Sequence, residues 1–256
     1  MLYAGSIYTN AYFGYFHVDS FAMGFSTLEL GMRSLRLATL PALVAVALAL
    51  LVPAVPRLLI TLHLAERHVR RLRVFGQAAA RAYPAFVAAG VVLMVLWRWI
   101  QPAAWSAPLL VSAGLLLGQT RSAAPAGEPR RPAWERAVSV LVAGLFLIWV
   151  VALIAGQLGR QDAHRDADQL VRRVAVIVLS TEPLSIAAPG PHVEDLGPDA
   201  HYRYRYSGLR LLIQRDQRYY LLGLGWSKAT DPTYVIVDDD TIRIELRPGT
   251  QPRTPA

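Results

Sequence analysis

The stretch AVSVLVAGLFLIWVVALIAGQL, residues 137–158, decides the fold because its 22 residues include no charged side chain. A helix rises about 1.5 Å per residue, and the hydrocarbon core of a bilayer is about 30 Å thick. A helix over this stretch is therefore long enough to cross a membrane. The stretch predicts a transmembrane helix.

Three further apolar blocks precede this one along the chain. They cover residues 38–56, 82–100 and 102–118. The second and third blocks are separated by a turn that contains Gln101 and Pro102, so we expect these two blocks to form a tight helical hairpin. The four blocks together predict a four-helix transmembrane domain over residues 36–158.

The helix of the first block is expected to begin well before the block itself. Ser26 and Glu29 have the spacing of a capping box, in which two side chains satisfy the first free N–H groups of a helix. We therefore expect a helix that begins near Thr27 and is kinked at Pro41, because proline removes an internal hydrogen bond.

All of the net positive charge lies in the first 156 residues, where 13 Arg face five acidic residues, a balance of +8. Two connections between apolar blocks hold most of these arginines: Arg57, Arg67, Arg70, Arg71, Arg73 and Arg81, then Arg121, Arg130, Arg131 and Arg136. Basic loops tend to remain cytoplasmic. We therefore expect a plasma-membrane protein with both termini outside, and no nucleic-acid partner, since the charge does not follow one soluble face.

Four arginines of the first basic loop are the candidate binding residues of the sequence. Arg67, Arg70, Arg71 and Arg73 would lie just below the cytoplasmic leaflet, where each basic residue gains about 1 kcal/mol near anionic lipid. They are predicted to contact anionic lipid. The alternative is that they only fix the orientation of the chain.

Several kinds of chemistry have no residues to support them. The chain contains no cysteine, which excludes disulfides, thiolate nucleophiles and iron–sulfur clusters. No acidic residue, His or Lys lies near the middle of an apolar block, and no phosphate-binding, zinc-protease or nucleophile-elbow motif is present. We therefore expect no enzyme, no cofactor and no metal site.

The N-terminal segment, residues 1–35, is rich in aromatic residues. These include Tyr3, Tyr8, Tyr12, Phe13, Tyr15, Phe16, Phe21 and Phe25. Aromatic side chains favour the membrane–water interface. We interpret the segment as packing against outer headgroups, with a lid or partner surface as the alternative.

Residues 159–173 have a helix-compatible pattern of alternating charge and are predicted to extend the fourth helix into water as a stalk. Asp162, His164, Asp166 and Asp168 would line one face of a strand as metal ligands. On a helix, however, they divide between two faces. The charged stalk is the preferred interpretation.

From residue 174 the period of the apolar residues changes to that of strands. Strands are expected at 174–180, 201–206, 208–214, 218–223, 234–237 and 241–246, with a loop at 189–198. A hairpin is predicted around Arg215–Gln217, and a second one joins the last two strands through Asp238–Asp240, which we interpret as a turn and not as a calcium site. These elements predict a small β-rich domain over residues 174–247, followed by a disordered tail, 248–256.

Two stretches resemble segments of uncharacterised multipass membrane proteins of actinobacteria. They are YFGYFHVDSFAMGFSTLELGMRS, residues 12–34, and YSGLRLLIQRDQRYYLLGLGWSKATDPTYVIVDDDTIRIEL, residues 206–246. The resemblance covers about a quarter of the chain and implies a bacterial plasma-membrane protein with a small outer domain; it implies no active site. Similar chains have an apolar segment before the aromatic stretch, so Met1 is a candidate internal start and the full protein would then have five spans.

The fold class expected from the sequence is a membrane α-helical protein with four transmembrane helices and a small C-terminal β-rich soluble domain. The expected function is non-catalytic: the helices lie in the lipid bilayer, and the outer domain binds a protein partner or envelope component, or the chain forms a homo-oligomer. A small transporter or channel subunit is the first alternative, for which only Ser112 and Ser139 supply polar groups near the apolar blocks. A transmembrane sensor that couples the β domain to the Arg-rich loop is the second.

Overall fold

The computed structural model describes residues 2–20, 23–37, 83–96, 99, 103–120, 133–186 and 191–249. These residues form two compact units. The helical unit comprises Met1–Tyr8 and Thr27–Leu158, and the sheet unit comprises Thr9–Ser26 and Gly159–Ala256. The segment 1–35 is therefore divided, and its middle part belongs with the C-terminal residues. The predicted span 38–56 and the four arginines at 67–73 lie outside the described residues.

Among the described residues, five α-helices lie wholly or partly in the helical unit. They are α1 (Leu2–Tyr15), α2 (Thr27–Leu37), α3 (Tyr83–Val95), α4 (Ser106–Thr120) and α5 (Ala133–Asp168). Helix α1 continues into the sheet unit from Thr9, and α5 continues into it from Gly159. The predicted start of a helix at Thr27, directly after Ser26, is confirmed.

Helices α3 and α4 form the predicted hairpin, and two glycines let their backbones approach closely. A Cβ atom on Gly90 would lie 2.9 Å from the carbonyl oxygen of Ala107 and 2.6 Å from a methyl carbon of Val111. A Cβ atom on Gly114 would lie 3.0 Å from the backbone nitrogen of Val87. Small residues of this kind are enriched where membrane helices pack together.

Helix α5 is much longer than the two helices of the hairpin. Among the described residues, one helix, α5, is long and apolar enough to cross a membrane. Helices α3 and α4 have 13 and 15 residues, which correspond to about 20 and 22 Å, less than the thickness of a bilayer core. The described helices therefore do not support four full-length spans.

The sheet unit contains one six-stranded sheet. Its strands are β1 (Ala175–Ser180), β2 (His192–Asp195), β3 (Tyr204–Arg215), β4 (Arg218–Gly223), β5 (Tyr234–Val237) and β6 (Ile242–Arg247). The order is β5-β4-β3-β1-β6, with β2 also paired to β3, and all pairs are antiparallel. A C-terminal antiparallel sheet is therefore present, as expected. The short 3-10 helix Leu170–Arg172 connects α5 to β1.

Three details of the strand prediction are confirmed or corrected by this sheet. The β3–β4 hairpin is confirmed, and its turn residues Asp216 and Gln217 both have positive φ, as a two-residue turn of the primed type requires. The two strands predicted at 201–206 and 208–214 are one strand, β3, in which Gly208 (φ +85°) lies at an irregularity of the pairing with β1. The predicted loop at 189–198 contains strand β2.

The prediction that the last two strands form a hairpin is wrong. Strand β5 pairs with β4, and β6 pairs with β1 at the other end of the strand order. The alternation of apolar residues specifies which face of a strand is buried but not which strand pairs with it. Between β5 and β6, Asp239 closes a local turn by accepting hydrogen bonds from the backbone N–H (2.9 Å) and hydroxyl (2.6 Å) of Thr241.

The sheet buries apolar side chains on both faces. One cluster contains Val176, Val178, Tyr206, Leu209, Tyr219, Leu221 and Ile236, with Ile242 and Ile244 packed against it. The cluster therefore includes side chains from β5 and β6, the two ends of the strand order. The second cluster joins Leu212, Tyr220, Leu222 and Trp226 to residues of the N-terminal segment and of α5.

Candidate functional site

The middle part of the N-terminal segment, which belongs to the sheet unit, covers part of one face of the sheet. Phe13, Phe16 and Met23 are buried, with 0% of Phe16 exposed, and they pack with Leu212, Tyr220 and Leu222 of the sheet. The sequence suggested that these side chains pack against lipid headgroups. They pack against the sheet instead. The reason is that β3 and β4 present large apolar side chains on both faces, and the second face needs a cover.

The predicted stalk, residues 159–173, is helical as far as Asp168, but one of its faces is buried in the sheet unit. Ala163 is fully buried in the cluster that contains Phe16, and Ala167 packs against it. Asp162 and Asp166 lie on one side of the helix and His164 on another. The four alternating residues therefore do not line one common site.

Polar side chains from three elements meet beside this cluster. The hydroxyl of Tyr12 in α1 donates a hydrogen bond to Asp166 Oδ2 of α5 at 2.5 Å. The guanidinium of Arg173 donates to the same oxygen at 2.6 Å, to the Tyr12 hydroxyl and to the carbonyl oxygen of Leu212 in β3 at 3.1 Å. We call Tyr12, Asp166 and Arg173 the polar triad. It joins α1, the end of α5 and β3 within the sheet unit.

The pKa of the Tyr12 phenol is raised well above its usual range. Burial is the largest cause, and the hydrogen bond to the negatively charged Asp166 acts in the same direction. The positive charge of Arg173 opposes both. A group whose pKa is raised by folding stabilises the folded state fully below its unfolded pKa, and this contribution is lost as the pH rises further.

Replacement of Tyr12 by Phe is therefore expected to have two effects. It keeps the ring packing but removes the hydroxyl that donates to Asp166 and accepts from Arg173, which lowers the free energy of unfolding by about 1–3 kcal/mol near neutral pH. It also makes the stability fall less steeply above about pH 10, the ordinary pKa of tyrosine. Chemical unfolding of the detergent-solubilised chain at several pH values between 7 and 11 measures both effects. Tyr3→Phe, at a position that is 59% exposed, is the matched control, and equal alkaline slopes in Tyr12→Phe and wild type would contradict the assignment.

A second cluster of side chains is aromatic and lies at the end of α1. The Tyr15 hydroxyl lies 3.3 Å from Nδ1 of His164, and Lys228 Nζ lies 4.8 Å from the centre of the Tyr15 ring. Trp226 packs at 5.2 Å from the Phe16 ring and donates its indole N–H to Pro232. Each polar atom in these contacts has a protein partner. The cluster therefore holds the β4–β5 loop against α1 and α5.

Several other candidate positions have local structural roles. Ser112 is buried, and its hydroxyl donates to the carbonyl oxygen of Leu109 in the same helix at 2.8 Å. Asp238–Asp240 form the exposed turn before β6. Within the described ranges, no group of three or more His, Asp or Glu is placed to hold a metal ion.

Strand β1 contributes Val176 and Val178 to a core cluster on one of its faces, and its opposite face is lined by arginines. Ala175 of β1 is aligned with Arg210 of β3 on one side and Arg247 of β6 on the other. Leu179 is aligned in the same way with Arg205 and Arg243. Since aligned residues of neighbouring strands share a face, four arginines surround a line of apolar residues, Ala175, Ile177 and Leu179. We call Arg205, Arg210, Arg243 and Arg247 the arginine face.

Two carboxylates partly balance the arginine face. Arg205 pairs with Glu194 at 3.1 Å, and Glu245 lies 4.0 Å from Arg243 and 3.9 Å from Arg247. The last two distances are too long for hydrogen bonds. The Nε–H of Arg210 is buried and has no hydrogen-bond partner among the described residues. Four arginines and two carboxylates leave a net positive charge on the face. Its solvent-exposed donors are those of Arg243 and Arg247, since the Nε–H of Arg210 is buried and its Nη1 donates to the carbonyl oxygen of Leu209.

Neither the polar triad nor the arginine face was predicted from the sequence. Tyr12 and Asp166 are 154 positions apart in the chain, and no local pattern links them. The alternation of Arg243 and Arg247 with Ile242, Ile244 and Leu246 was visible, but only the register of β1 brings Arg205 and Arg210 beside them. The one site predicted from sequence, Arg67, Arg70, Arg71 and Arg73, lies outside the described residues.

Comparison of the chain with protein families, with curated proteins and with solved structures finds no match.

Proposed function

We propose that the protein is a multipass protein of the bacterial plasma membrane whose sheet unit is a non-catalytic binding module outside the cell. The helical unit anchors this module in the bilayer. In this proposal α5 crosses the membrane completely. Residues 38–56 form another span, and the α3–α4 hairpin supplies two short ones.

The exposed apolar surface of α5 is the observation that carries this proposal. Only 11% of its most apolar 18-residue window is buried. Leu141, Leu145, Ile148 and Trp149 are each exposed to a large extent. A helix at the core of a soluble protein would have this surface covered by other protein groups, whereas a lipid-facing helix has it covered by acyl chains.

The sheet unit is formed by two segments that lie on either side of the apolar blocks in the sequence, and this supports an even number of membrane crossings. Residues 9–26 precede the apolar blocks and residues 159–249 follow them, yet both segments belong to one unit and share buried side chains. Both segments must therefore lie on the same side of a membrane. If α5 crosses once, residues 27–132 must cross an odd number of times. A hairpin returns to its starting side, so the span at 38–56 satisfies this condition.

The absence of cysteine makes a direct test possible. Gly14→Cys places a thiol on an exposed position of α1 where a side chain meets nothing within 4 Å, and Asp199→Cys places one in an exposed turn of the sheet unit. We expect a membrane-impermeant maleimide to label both variants in intact cells. Gly76→Cys, in the first basic loop, should be labelled only after the membrane is permeabilised.

Three outcomes of the labelling and fractionation would contradict parts of the proposal. Labelling of only one of the Gly14→Cys and Asp199→Cys variants would contradict the common side of the two segments. Labelling of the Gly76→Cys variant alone in intact cells would reverse the orientation. Recovery of the chain in the soluble fraction after cell breakage would contradict the membrane anchor.

A second candidate function, a transmembrane sensor, is favoured by the continuity of α5. This helix runs without a break from its apolar part to Asp166 in the polar triad. A change in the triad could therefore shift the helix as a rigid rod. In a sensor, Tyr12→Phe would change the maleimide reactivity of a cysteine introduced at Ala137, near the start of α5; unchanged reactivity favours the passive anchor.

A further inference from the structure

We propose that the arginine face binds the phosphate groups of anionic lipids in the leaflet from which α5 emerges. The inference rests on the proposed function, because it needs α5 to cross the bilayer. It names a ligand for the sheet unit and is separate from the cytoplasmic arginines predicted from the sequence.

The spacing of the four arginines suits more than one phosphate group. Arg205 and Arg243 lie on strands separated by β1, which places their Cα atoms about 10 Å apart, at about 4.8 Å between neighbouring strands. Arg243 and Arg247 are four residues apart on β6, a distance of about 13 Å. The four Cα atoms therefore form a rectangle of about 10 by 13 Å. A single phosphate ion would contact the arginines on one side of this rectangle. A row of headgroups would contact all of it.

The residue type and its free donors favour phosphate as the ligand. A guanidinium presents paired N–H groups that match two oxygens of a phosphate. The side chains of Arg243 and Arg247 are 63% and 57% exposed, and Glu245 between them is beyond hydrogen-bond distance of both. Their donors can therefore turn to a ligand without breaking a hydrogen bond to this carboxylate.

The floor of the face is apolar and poorly hydrated. Ile177 belongs to neither core cluster but is only 6% exposed. By register its neighbours on this face are Glu245 and the arginines, whose aliphatic stems can cover apolar surface while their charged ends stay in water. Charge–charge attraction is stronger beside such a surface than in bulk water.

The chain connection favours a lipid surface over a soluble polyanion. The apolar part of α5 ends at Leu158, and the helix continues for ten residues to Asp168, a rise of about 15 Å. Six residues separate Asp168 from Ala175, the first residue of β1, which is aligned with Arg210 and Arg247. Gly249, just after β6, packs directly on the carbonyl groups of Arg172 and Arg173, so this end of the face is held beside the end of α5. The nearest phosphate groups are then those of the bilayer.

The test uses the full chain in lipid nanodiscs, with a fluorophore on the single cysteine of Ala175→Cys. The lipid is phosphatidylcholine that carries a headgroup nitroxide quencher, with or without phosphatidylglycerol. We expect phosphatidylglycerol to increase quenching of the label. In the double variant Arg243→Gln/Arg247→Gln, most of this increase should be lost, since each basic residue near an anionic surface contributes about fivefold to binding and the two together about 25-fold.

A matched double variant controls for the lost charge. Arg218→Gln/Lys228→Gln also removes two positive charges from exposed positions of the sheet unit but leaves the arginine face intact. It should keep the full response to phosphatidylglycerol. A similar loss in both double variants would overturn the proposal, because net charge alone would then explain the effect.

Two further measurements separate the inference from the proposed function. A label on Leu145→Cys in α5 should be quenched by nitroxide on the acyl chains, and failure here would contradict the membrane anchor itself. If this label is quenched but that at position 175 shows no response to phosphatidylglycerol, only the arginine face inference is overturned. A stronger response to soluble polyphosphate at the same phosphate concentration would also overturn it, in favour of a soluble polyanion.

Discussion

Phe16→Ala is expected to lower the free energy of unfolding of the sheet unit by about 3–5 kcal/mol, the usual cost of removing a fully buried aromatic ring. Phe16 has no exposed surface and contacts the rings of Tyr12, Tyr15 and Trp226. Its removal leaves a cavity between the N-terminal segment and the sheet. A loss of this size is a large share of the stability of a small unit.

Hydrogen exchange of the β3 and β4 amides in the detergent-solubilised chain measures this effect within the sheet unit. The rates should increase in Phe16→Ala and remain close to wild type in Tyr3→Ala, a matched aromatic deletion at an exposed position of the same helix. Surface substitutions of that kind usually change stability by less than about 0.5 kcal/mol. Equal protection in Phe16→Ala and Tyr3→Ala would contradict the assignment of the N-terminal segment to the sheet unit.

Gly90→Leu is expected to separate helices α3 and α4. The first added carbon would lie 2.9 Å from the backbone oxygen of Ala107 and 2.9 Å from the backbone nitrogen of Val111. Backbone atoms in a helix cannot move aside as a flexible side chain does, so the two helices must move apart. Overpacking of this kind costs about 1–3 kcal/mol or more.

The matched control for Gly90→Leu is Gly144→Leu on α5, where an added side chain meets nothing within 4 Å. Amide exchange across α3 and α4, together with the thermal midpoint in detergent, distinguishes the two variants. Exchange in the hairpin should increase only in Gly90→Leu. A lower midpoint in Gly144→Leu than in Gly90→Leu would show that the close contact between α3 and α4 is not important for stability.

The elements that the sequence predicted correctly are those set by local composition. The charge-free run at 137–158 is sufficient to predict the apolar part of α5, since no partner is needed to decide its character. Helix α2 starts directly after Ser26, a residue type that favours the N-cap position, and the β3–β4 turn contains Asp216, a residue type that favours tight turns. A pattern that involves only residues close together in the sequence can be recognised without knowledge of the fold.

The elements that the sequence missed depend on partners far away in the chain. An aromatic residue such as Phe13 or Phe16 is equally suited to a lipid interface and to a protein core, and only the uncovered face of β3 and β4 decides between them. In the same way, Ile242 and Ile244 indicate a strand with one buried face but not that β1 is its partner. The candidate sites lie at these long-range junctions, so sequence alone could not locate them.

The division of the sheet unit between two ends of the chain has a consequence for its synthesis and for its use in isolation. Residues 9–26 are synthesised before residues 27–158, but the strands that they cover are synthesised only after residues 27–158. During that interval Phe13 and Phe16 have no native partner, which makes them a natural target for a chaperone. A fragment that begins at residue 159 would leave Leu212, Tyr220 and Leu222 bare and would tend to aggregate. Fusion of residues 9–26 to this fragment through a flexible linker is expected to restore a soluble, monomeric sheet unit.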